Sequence, residues 1–329
     1  MRLKEIGEFG FIERIRRYAP IGKGVLRGIG DDAAWIACER KTLLVTTDLL
    51  LEGFHFNLQW ISFHGLGHKA LSINLSDIAA MGGVPAYYVL SLGVPVDFRL
   101  KDIQEFYGAL KRLSVRTGVS LIGGDTSASD RLLVNITLFG YAPYGPVFRA
   151  GAAPGDDLYV TGTLGDSALG LDLLKKKKLL VKKTDAGYLI SRHHFPTARL
   201  KAGTLLAKKR VATAMIDVSD GLLQDLGHLC KASRIGAVVW SDALPLSRPL
   251  DRVAGDQAAR YALTGGEDYE LLFSSRRRDR SRLEKMKKQL GVPITRIGQC
   301  LPARDGIKVL NKGGQALSFP VSGHDHFKN

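Results

Sequence analysis

The amino-acid sequence predicts a two-domain α/β protein in which each domain is a mixed sheet covered by helices. Short apolar runs of strand length alternate with longer segments of helical periodicity in both halves of the chain, which is the pattern of sheets with covering helices. A Pro- and Gly-rich segment, 143–157, separates the halves. No fixed-period repeat occurs, which excludes a solenoid. We therefore expect an N-terminal domain over residues 1–142 and a C-terminal domain over residues 143–329.

The first half supplies five predicted strands and two long helices. The apolar runs that predict strands are 33–37, 42–47, 86–94, 120–124 and 132–142. Apolar residues at helical spacing predict helices over 68–82 and 101–118, each closed by a glycine, the residue that most easily takes the left-handed conformation after a helix. The opening segment also has helical spacing, which predicts an amphipathic helix through Ile6, Phe9, Ile12 and Ile15.

The second half repeats the alternation of strands and helices. Strands are predicted at 157–163, 214–219, 236–240, 269–275 and 293–300. Helices are predicted at 167–178, 197–208, 220–234 and 279–290, the last of them strongly basic.

Composition excludes several classes of protein. The chain has 329 residues, 45% of them hydrophobic, with 37 Gly and 12 Pro, so it is neither disordered nor collagen-like. Cys38, Cys230 and Cys300 lie far apart, which excludes a disulfide framework and suits a reducing compartment. No apolar stretch approaches the roughly 18 residues of a membrane span, and the opening segment carries acidic residues, unlike a signal peptide. We expect a cytoplasmic protein.

The net charge of +15 is concentrated in the second half. Residues 1–142 contain 16 basic and 14 acidic residues, whereas residues 143–329 contain 31 and 18. Clustered Lys and Arg favour nucleic-acid binding. However, the basic runs lie in helical segments without interleaved aromatic residues, as is typical of a solvated helix face. A basic nucleic-acid-binding protein therefore stays the less favoured alternative.

Acidic residues of the first half recur where apolar runs end. Asp31 and Asp32 close GIGDDAA, and the other three acids are Asp48 of TLLVTTD, Asp77 of INLSDIAAMGG and Asp125 of SLIGGDTS. An unpaired carboxylate beside apolar residues is expensive to bury. Each one alone is an ordinary turn or helix-cap residue. Together, with no basic residue within two positions, they indicate Mg²⁺, which binds carboxylates along with substrate phosphates.

Two further acidic segments lie in the second half. Asp217 and Asp220 flank Ser219 in AIDVSDGL, where Ser219 or Asp220 is alternatively a plain helix N-cap. Glu267, with Asp268 and Glu270 close behind, lies in TGGEDYELLF, a glycine-led turn that enters a predicted strand. Acidic turns in both domains suggest several Mg²⁺ ions around a polyphosphate, and hence phosphoryl transfer.

Common nucleotide and catalytic motifs are missing from the sequence. It contains no G-x-x-x-x-G-K-[ST], G-x-G-x-x-G, H-E-x-x-H or G-x-S-x-G. A nucleotide is therefore expected on the Gly-rich turns 123–126 and 162–166, whose backbone N–H groups suit phosphate oxygens.

Taken in order, seven segments resemble the thiamine-monophosphate kinase family over nearly the whole chain. They are GIGDDAA (28–34), TTD (46–48), HKALSINLSDIAAMGG (68–83), LIGGDTS (121–127), RAGAAPGDDLYVTGTLGDSALGL (149–171), AIDVSDGLLQDLGH (214–228) and GGEDYELLF (265–273). The family belongs to a superfamily with aminoimidazole ribonucleotide synthetase, selenophosphate synthetase and hydrogenase maturation synthetases. The resemblance implies ATP bound between two α/β domains and a homodimer that pairs the sheets of its first domains.

The resemblance also implies the reaction and the residues that carry it. The reaction is transfer of the γ-phosphoryl group of ATP to thiamine monophosphate, which yields thiamine diphosphate and ADP. The implied magnesium ligands are Asp32, Thr46, Thr47, Asp48, Asp77 and Asp125 in the first domain and Asp217 and Asp220 in the second. The implied ATP contacts are Gly124, Asp125, Arg149 and Ser219, and the implied substrate contacts are His55 and Glu267. The second domain thus completes the ATP and substrate site.

Elementary chemistry is compatible with these roles. Donor and acceptor are both phosphates, so Mg²⁺ is needed to neutralise their approach, and no general base is needed because a phosphate monoester is mostly a dianion at pH 7. Arg149 suits a bidentate clamp on ATP phosphates or is a surface residue. Glu267 suits the cationic thiazolium or the aminopyrimidine, or is a structural turn acid. His55, between Phe54 and Phe56, is a substrate contact or a packed histidine.

One departure from the family pattern concerns the C-terminus. Family members often carry an aromatic residue there that covers the thiamine ring, whereas this chain has Val321 at the aligned position, with Phe319 or His324 as possible substitutes. A superfamily relative acting on another acceptor is the alternative reading. Selenophosphate synthetase itself usually shows a reactive Cys or selenocysteine and a Gly-rich N-terminal extension, and neither is present.

Overall fold

Thirteen strands and nine α-helices are assigned in the described part of the chain. The structure is a computed structural model, and it describes residues 14, 17–19, 22, 25–27, 35–36, 43–175 and 181–319. The strands are β1 (Val25–Arg27), β2 (Trp35–Ile36), β3 (Leu43–Leu51), β4 (Val84–Val94), β5 (Ser120–Ala128), β6 (Leu133–Tyr141), β7 (Asp157–Thr161), β8 (Ala214–Asp217), β9 (Ile235–Trp240), β10 (Leu271–Ser275), β11 (Ile294–Pro302), β12 (Ile307–Leu310) and β13 (Ala316–Leu317). The helices are α1 (Phe63–Ala80), α2 (Leu100–Thr117), α3 (Asp166–Lys175), α4 (Lys183–His194), α5 (Leu200–Lys209), α6 (Leu222–Ser233), α7 (Arg248–Ala254), α8 (Ala258–Thr264) and α9 (Arg280–Leu290).

The chain divides into two compact units. The first unit contains the described residues up to Ile78 together with Val84–Ala142, and the second contains Ala79–Gly83 and the described residues from Pro143 onward. Each unit has its own sheet. The predicted class, two α/β domains with mixed sheets, is confirmed.

The sheet of the first unit has the strand order β3-β6-β4-β5. β3 and β4 both pair with β6 in the antiparallel sense, whereas β4 and β5 run parallel. Burial alternates along β6, where Val134, Ile136 and Leu138 are fully buried. This alternation places one face of the sheet against helices, because successive strand residues point to opposite faces.

The other face of this sheet, here called the open face, carries apolar residues at its β3 edge. Leu43, Val45 and Leu49 are 47%, 57% and 48% exposed. Phe139 and Tyr141 lie opposite Val45 and Leu43 on β6 and so point the same way. The open face is therefore apolar and accessible at β3.

The second unit is built on a seven-stranded sheet with the order β13-β12-β9-β11-β7-β10-β8. Its pairs are antiparallel except β9 with β12. Leu158 and Val160 of β7 pack into a core with α6 and α8, while Tyr159 between them packs into a second core with α5 and α9. The sheet is thus buried on both faces, which is why its central strands read as continuous apolar runs.

Several sequence predictions need correction. Asp48 and Asp125 lie inside β3 and β5 rather than in turns after them, and Asp77 lies within α1. Half-buried or exposed positions on the edge strands β3 and β5 tolerate a carboxylate, because water still reaches it. Helices α4, α7 and α8 were not predicted. The expected N-terminal amphipathic helix falls largely outside the described residues. Among the described helices, none has both the length and the apolar character needed to cross a bilayer.

Candidate active site

In the first unit, three of the implied ligands lie together on the helix-covered face of the sheet. The hydroxyl of Thr46 on β3 donates a hydrogen bond to the carboxylate of Asp77 on α1. Asp48 lies two residues further along β3 and therefore on the same face as Thr46. Side chains from a strand and a helix thus form one oxygen-rich group.

Thr47 and Asp125 lie on the open face instead. Thr47 is hydrogen-bonded to Thr137 across the strands at 3.1 Å and accepts from Asn135 Nδ2 at 3.2 Å. Asp125 pairs in register with Ser91, which pairs with Asn135, so all three share this face with Thr47. Because β3 and β5 are opposite edges of the sheet, three strand spacings of about 4.8 Å separate them, roughly 14 Å. Within one chain, Asp125 is therefore remote from Asp48.

Gly124 is a position of close backbone approach on β5. A Cβ atom there would overlap the carbonyl oxygen and carbon of Leu90 on β4. Only glycine allows the two strands to pair at this point. The neighbouring Asp125 is exposed, and its Oδ1 accepts from the backbone N–H of Thr126 at 2.9 Å.

His55 lies in a tight turn directly after β3. Its Nδ1 accepts a hydrogen bond from the backbone N–H of Leu51 at 3.0 Å. Gly53, with φ of +86°, donates to the carbonyl oxygen of Phe56 and closes the turn. The imidazole is half-buried and fixed in orientation, while the preceding Phe54 is exposed.

In the second unit, Asp217 is the last residue of β8, and Ser219 and Asp220 lie in the loop that follows it. Asp217 is buried, whereas Ser219 and Asp220 are half-buried. The N-cap position of α6 is Gly221, which makes no side-chain capping bond. The alternative that Ser219 or Asp220 is a plain N-cap is therefore wrong.

Asp225 of α6 holds this loop, a role the sequence analysis missed. Its Oδ2 accepts the backbone N–H groups of Ser219, Asp220 and Gly221, each at 3.1 Å. Burial, followed by the nearby charges of Asp217 and Asp220, raises the pKa of Asp225 to about 7. Gln224 donates to Asp220 Oδ2 at 3.1 Å. The side chains of Asp220, Asp225 and His228 offer ligand atoms within 4.8 Å of one another, a spacing that suits a metal ion.

The loop 265–270 packs against the loop 218–221. The backbone N–H of Glu267 donates to Ser219 O at 2.7 Å, and that of Tyr269 donates to Val218 O at 2.8 Å. Glu267 and Tyr269 both have positive φ, +67° and +52°. Such a backbone conformation is rare for residues other than glycine and persists only where the surrounding contacts hold the loop in place.

The two acids after Glu267 point inward. Asp268 accepts the N–H of Gly165 at 2.6 Å and that of Ser167 at 3.1 Å, at the start of α3. Complete burial raises the pKa of Asp268 to about 8, although both amide bonds oppose the shift. Asp268 thus ties the loop to α3.

Glu270 is fully buried among cationic groups. It accepts from Thr161 Oγ1 at 2.6 Å, from Arg192 Nη2 at 2.9 Å and from the guanidinium of Arg199. Gly162 leaves the room for it, because a Cβ there would overlap the Glu270 carboxylate. Glu270 is a structural acid neutralised by two arginines.

Three of the five backbone amides in the predicted phosphate-binding turn 162–166 already have acceptors. The N–H groups of Gly162, Leu164 and Gly165 donate to Pro293 O, Pro245 O and Asp268, so they are already satisfied within the unit. Asp166 accepts from Thr163 Oγ1 at 2.6 Å and Ser247 Oγ at 2.5 Å. Those three amides are not free for phosphate oxygens, and composition alone does not show which turn amides already have acceptors.

Of the remaining predicted residues, Arg149 and Phe319 are described and the others are not. Arg149 is exposed, and its backbone carbonyl accepts from Ser233 Oγ at 2.9 Å. Asp32, Val321 and His324 lie outside the described residues. Phe319 is partly buried and packs against the core of the second unit.

Comparison with known proteins now defines the class. The family model described as AIR synthase related protein, N-terminal domain, matches residues 30–142, and the model of the corresponding C-terminal domain matches residues 153–309. Together they span most of the chain. The chain, a two-unit α/β fold with acidic residues in both units, therefore belongs to the AIR synthase related proteins.

Relatives narrow the class to one family. The thiamine-monophosphate kinase of Salmonella typhimurium is 44% identical over 325 residues, covering 98% of both chains. The crystal structure of the Stenotrophomonas maltophilia thiamine-monophosphate kinase is 37% identical, covers 95% of this chain and 98% of that one, and has a TM-score of 0.85. A structure of AaThiL complexed with AMPPCP and TMP is 36% identical, covers 99% of both chains and has a TM-score of 0.76. The chain belongs to the thiamine-monophosphate kinase family.

Proposed function

We infer that the chain phosphorylates thiamine monophosphate with ATP. The observation that carries this inference is similarity at 44% identity over 98% of the chain to a thiamine-monophosphate kinase, together with a similar structure complexed with AMPPCP and TMP. An oxygen of the acceptor phosphate forms a bond to the γ-phosphorus of ATP. The bond from that phosphorus to the β–γ bridging oxygen breaks, so the products are thiamine diphosphate and ADP.

The carboxylate and hydroxyl oxygens of both units suit Mg²⁺, which prefers hard oxygen ligands. We propose Thr46, Asp48 and Asp77 as ligands in the first unit and Asp217 and Asp220 in the second, with Asp32, Thr47 and Asp125 completing the set. When bound, Mg²⁺ would offset the negative charge of the two phosphates and so lower the cost of bringing them together. The loop amides that Asp225 holds keep Ser219 and Asp220 in place.

The residues of this chain need only bind and orient the reactants. A phosphate monoester has its second pKa near 6, so the acceptor is already mostly a dianion and no general base is needed. The exposed Arg149 is proposed to bind ATP phosphates, with Gly124, Asp125 and Ser219 as further ATP contacts. Glu267, whose carboxylate is partly exposed, and the fixed imidazole of His55 are proposed to hold the thiamine moiety.

The direct test is turnover with defined reactants. Purified protein is incubated with MgCl₂, ATP and thiamine monophosphate, and thiamine diphosphate is measured by chromatography. We expect product in proportion to ADP formed, and none without Mg²⁺. ADP formation without thiamine diphosphate, or product from a different acceptor only, would refute the assignment. We propose the cytoplasm as the site of the reaction, in keeping with the buried free thiols of Cys230 and Cys300.

We further propose that two copies pair through the open face of the first unit. The exposed apolar residues Leu43, Val45 and Leu49 support this. Contact with a second copy would remove their apolar surface from water and so stabilise the pair. Light scattering should give the mass of two copies. Val45→Lys should give the mass of one, whereas Val115→Lys, an exposed apolar position on α2, should leave the dimer intact.

We propose that Asp125 of one copy completes the site that contains Asp48 of the other, because within one chain the two aspartates lie on opposite edges and opposite faces of the sheet. Asp48→Asn and Asp125→Asn should each be inactive alone. In a mixed dimer, one site would then retain both native aspartates, so random pairing should restore about a quarter of the wild-type activity. If both residues served the same site within one chain, mixing would restore nothing.

A further inference from the structure

A buried histidine lies directly behind the proposed substrate acid. His193 is on α4, one residue from its C-terminal end, and its side chain is only 7% exposed. Its Nδ1 lies 3.2 Å from Oε2 of Glu267 and 3.0 Å from Oγ of Ser167. The carboxylate of Glu267 is 30% exposed, so one of the two partners faces solvent while the other does not.

The neighbours of Nδ1 decide where its proton lies. A carboxylate oxygen only accepts hydrogen bonds, so an Nδ1 lone pair facing Glu267 would be repelled. The serine hydroxyl can serve as a second acceptor. A protonated Nδ1 would suit both neighbours, because its hydrogen would face two acceptor oxygens, one of Glu267 at 3.2 Å and that of Ser167 at 3.0 Å.

The same helix holds the Glu267 loop at a second point. Arg192, the residue before His193, donates to Glu270 at 2.9 Å. Two successive residues of α4 thus bind two acids of the loop, one structural and one facing solvent. Glu267 itself has a left-handed backbone, with φ of +67°, and its N–H is bonded to Ser219. With the backbone fixed, the 3.2 Å contact with His193 Nδ1 restricts the remaining freedom of the carboxylate.

We propose that His193 is a positioning residue for thiamine monophosphate, acting through Glu267. Its Nδ1–H orients the carboxylate toward the cationic or amino-bearing part of the substrate and does not itself touch the substrate. The proposal rests on the proposed function, because it assigns a role to Glu267 in that reaction. A fixed carboxylate binds its partner with less loss of side-chain freedom on binding.

The first experiment separates the hydrogen bond from packing. His193→Leu keeps much of the volume but removes the donor, whereas His193→Asn places an amide N–H near the former Nδ1. Ser191→Ala, an exposed position on the same helix, is the control. We expect His193→Leu to raise KM for thiamine monophosphate about tenfold, the size of one lost hydrogen bond to a charged group. KM for ATP and kcat should stay within about twofold, and His193→Asn should recover most of the loss.

Two results would overturn the proposal. One is an unchanged KM for thiamine monophosphate in His193→Leu. The other is an equal rise in KM for both substrates that His193→Asn does not rescue, as expected if the ring only fills space. A wild-type protein that forms no thiamine diphosphate would instead refute the proposed function, so the two failures are distinguishable.

A double-mutant cycle tests whether His193 acts through Glu267. Glu267→Gln alone should raise KM for thiamine monophosphate. Adding His193→Leu to it should then change KM by less than about twofold, because the interacting partner is already lost. Independent, additive effects would contradict the proposal.

The proton position can be measured directly in the wild-type protein. In wild-type protein labelled with ¹⁵N-histidine, the Nδ1 of His193 should show the chemical shift of a protonated nitrogen. The signal is assigned by its loss in His193→Asn. A shift typical of an unprotonated Nδ1 would overturn the inference even if the kinetic variants behaved as expected.

Discussion

The acids of the two units are held in contrasting ways. In the first unit, Asp48 and Asp77 project from a strand and a helix, whose regular backbone fixes them. In the second unit, Asp220 and Glu267 lie in loops, and each loop is fixed by a separate buried acid. Regular elements need no extra anchor, whereas loops need side chains that bind their backbone amides.

This difference shows that the acids of one motif do different work. In GGEDYE, Glu267 faces solvent, Asp268 binds amides at the start of α3, and Glu270 is neutralised by Arg192 and Arg199. Acidic residues that are close together in a sequence therefore need not all bind metal or substrate. Variants at these positions should differ in whether they affect turnover or stability.

The largest effect is expected at Asp48. Asp48→Asn removes the charge of a proposed metal ligand while keeping the side-chain shape, and we expect kcat to fall at least about 10²- to 10³-fold. The melting temperature should stay close to that of the wild type, because β3 does not depend on this charge for its pairing. Wild-type-like turnover in both Asp48→Asn and Asp125→Asn would contradict the magnesium role.

Glu270 should show the opposite pattern, with a large loss of stability. Glu270→Ala leaves the half-buried guanidinium groups of Arg192 and Arg199 without their acid, and breaking a buried ion pair costs about 3–5 kcal/mol. Urea unfolding measures the change. The exposed pair of Arg282 and Asp279, at 3.8 Å, is the matched control, and Arg282→Ala should cost less than about 1 kcal/mol. An equal loss of unfolding free energy in Glu270→Ala and Arg282→Ala would show that the buried ion pairs are no more stabilising than the exposed one.

Sequence reasoning located most strands and long helices, because their apolar periodicity is strong. The strand predicted at 42–47 ends at residue 47, whereas β3 continues through Asp48 to Leu51. A charged residue reads as the end of an apolar run even when an edge strand accommodates it. Helix α4 was missed because its buried positions are Asp185, Leu189 and His193. Their spacing is helical, but two of the three are polar, so the apolar pattern does not appear.

The site residues that the sequence missed share a physical cause. Asp225, Arg199 and His193 act through contacts with residues distant in the chain or with backbone amides. No local pattern records such contacts. The spacing of Asp220, Asp225 and His228 on and before one helix was a usable signal, since residues one turn apart share a helix face.

Asp268 should make the stability of the protein depend on pH. Its pKa in the folded state, about 8, is higher than its ordinary value of 3.8. The folded protein thus holds a proton that the unfolded chain has released. The stability from this proton is complete below pH 3.8 and is lost as the pH rises through about 8.

Asp268→Asn tests this dependence, because it removes the titration. The variant loses one acceptor for the amides of Gly165 and Ser167, so it should be less stable at low pH. The decline in unfolding free energy between about pH 5 and 8.5 should become shallower than in the wild type. Unfolding is measured with urea at several pH values without divalent cations. A variant with an unchanged slope would show that Asp268 is ionised throughout.

The smallest effect is expected at Thr46, where the regular elements of the first unit already fix the acids. Thr46→Val keeps the shape of the side chain but removes the hydroxyl that donates to Asp77. We expect activity at limiting Mg²⁺ to fall about five- to tenfold, the effect of one hydrogen bond. Thr46→Ser keeps the hydroxyl and should behave like the wild type. If Thr46→Val lost activity as completely as Asp48→Asn, the hydroxyl would be as necessary as the Asp48 carboxylate, and the regular elements of the first unit would not be enough to fix its acids.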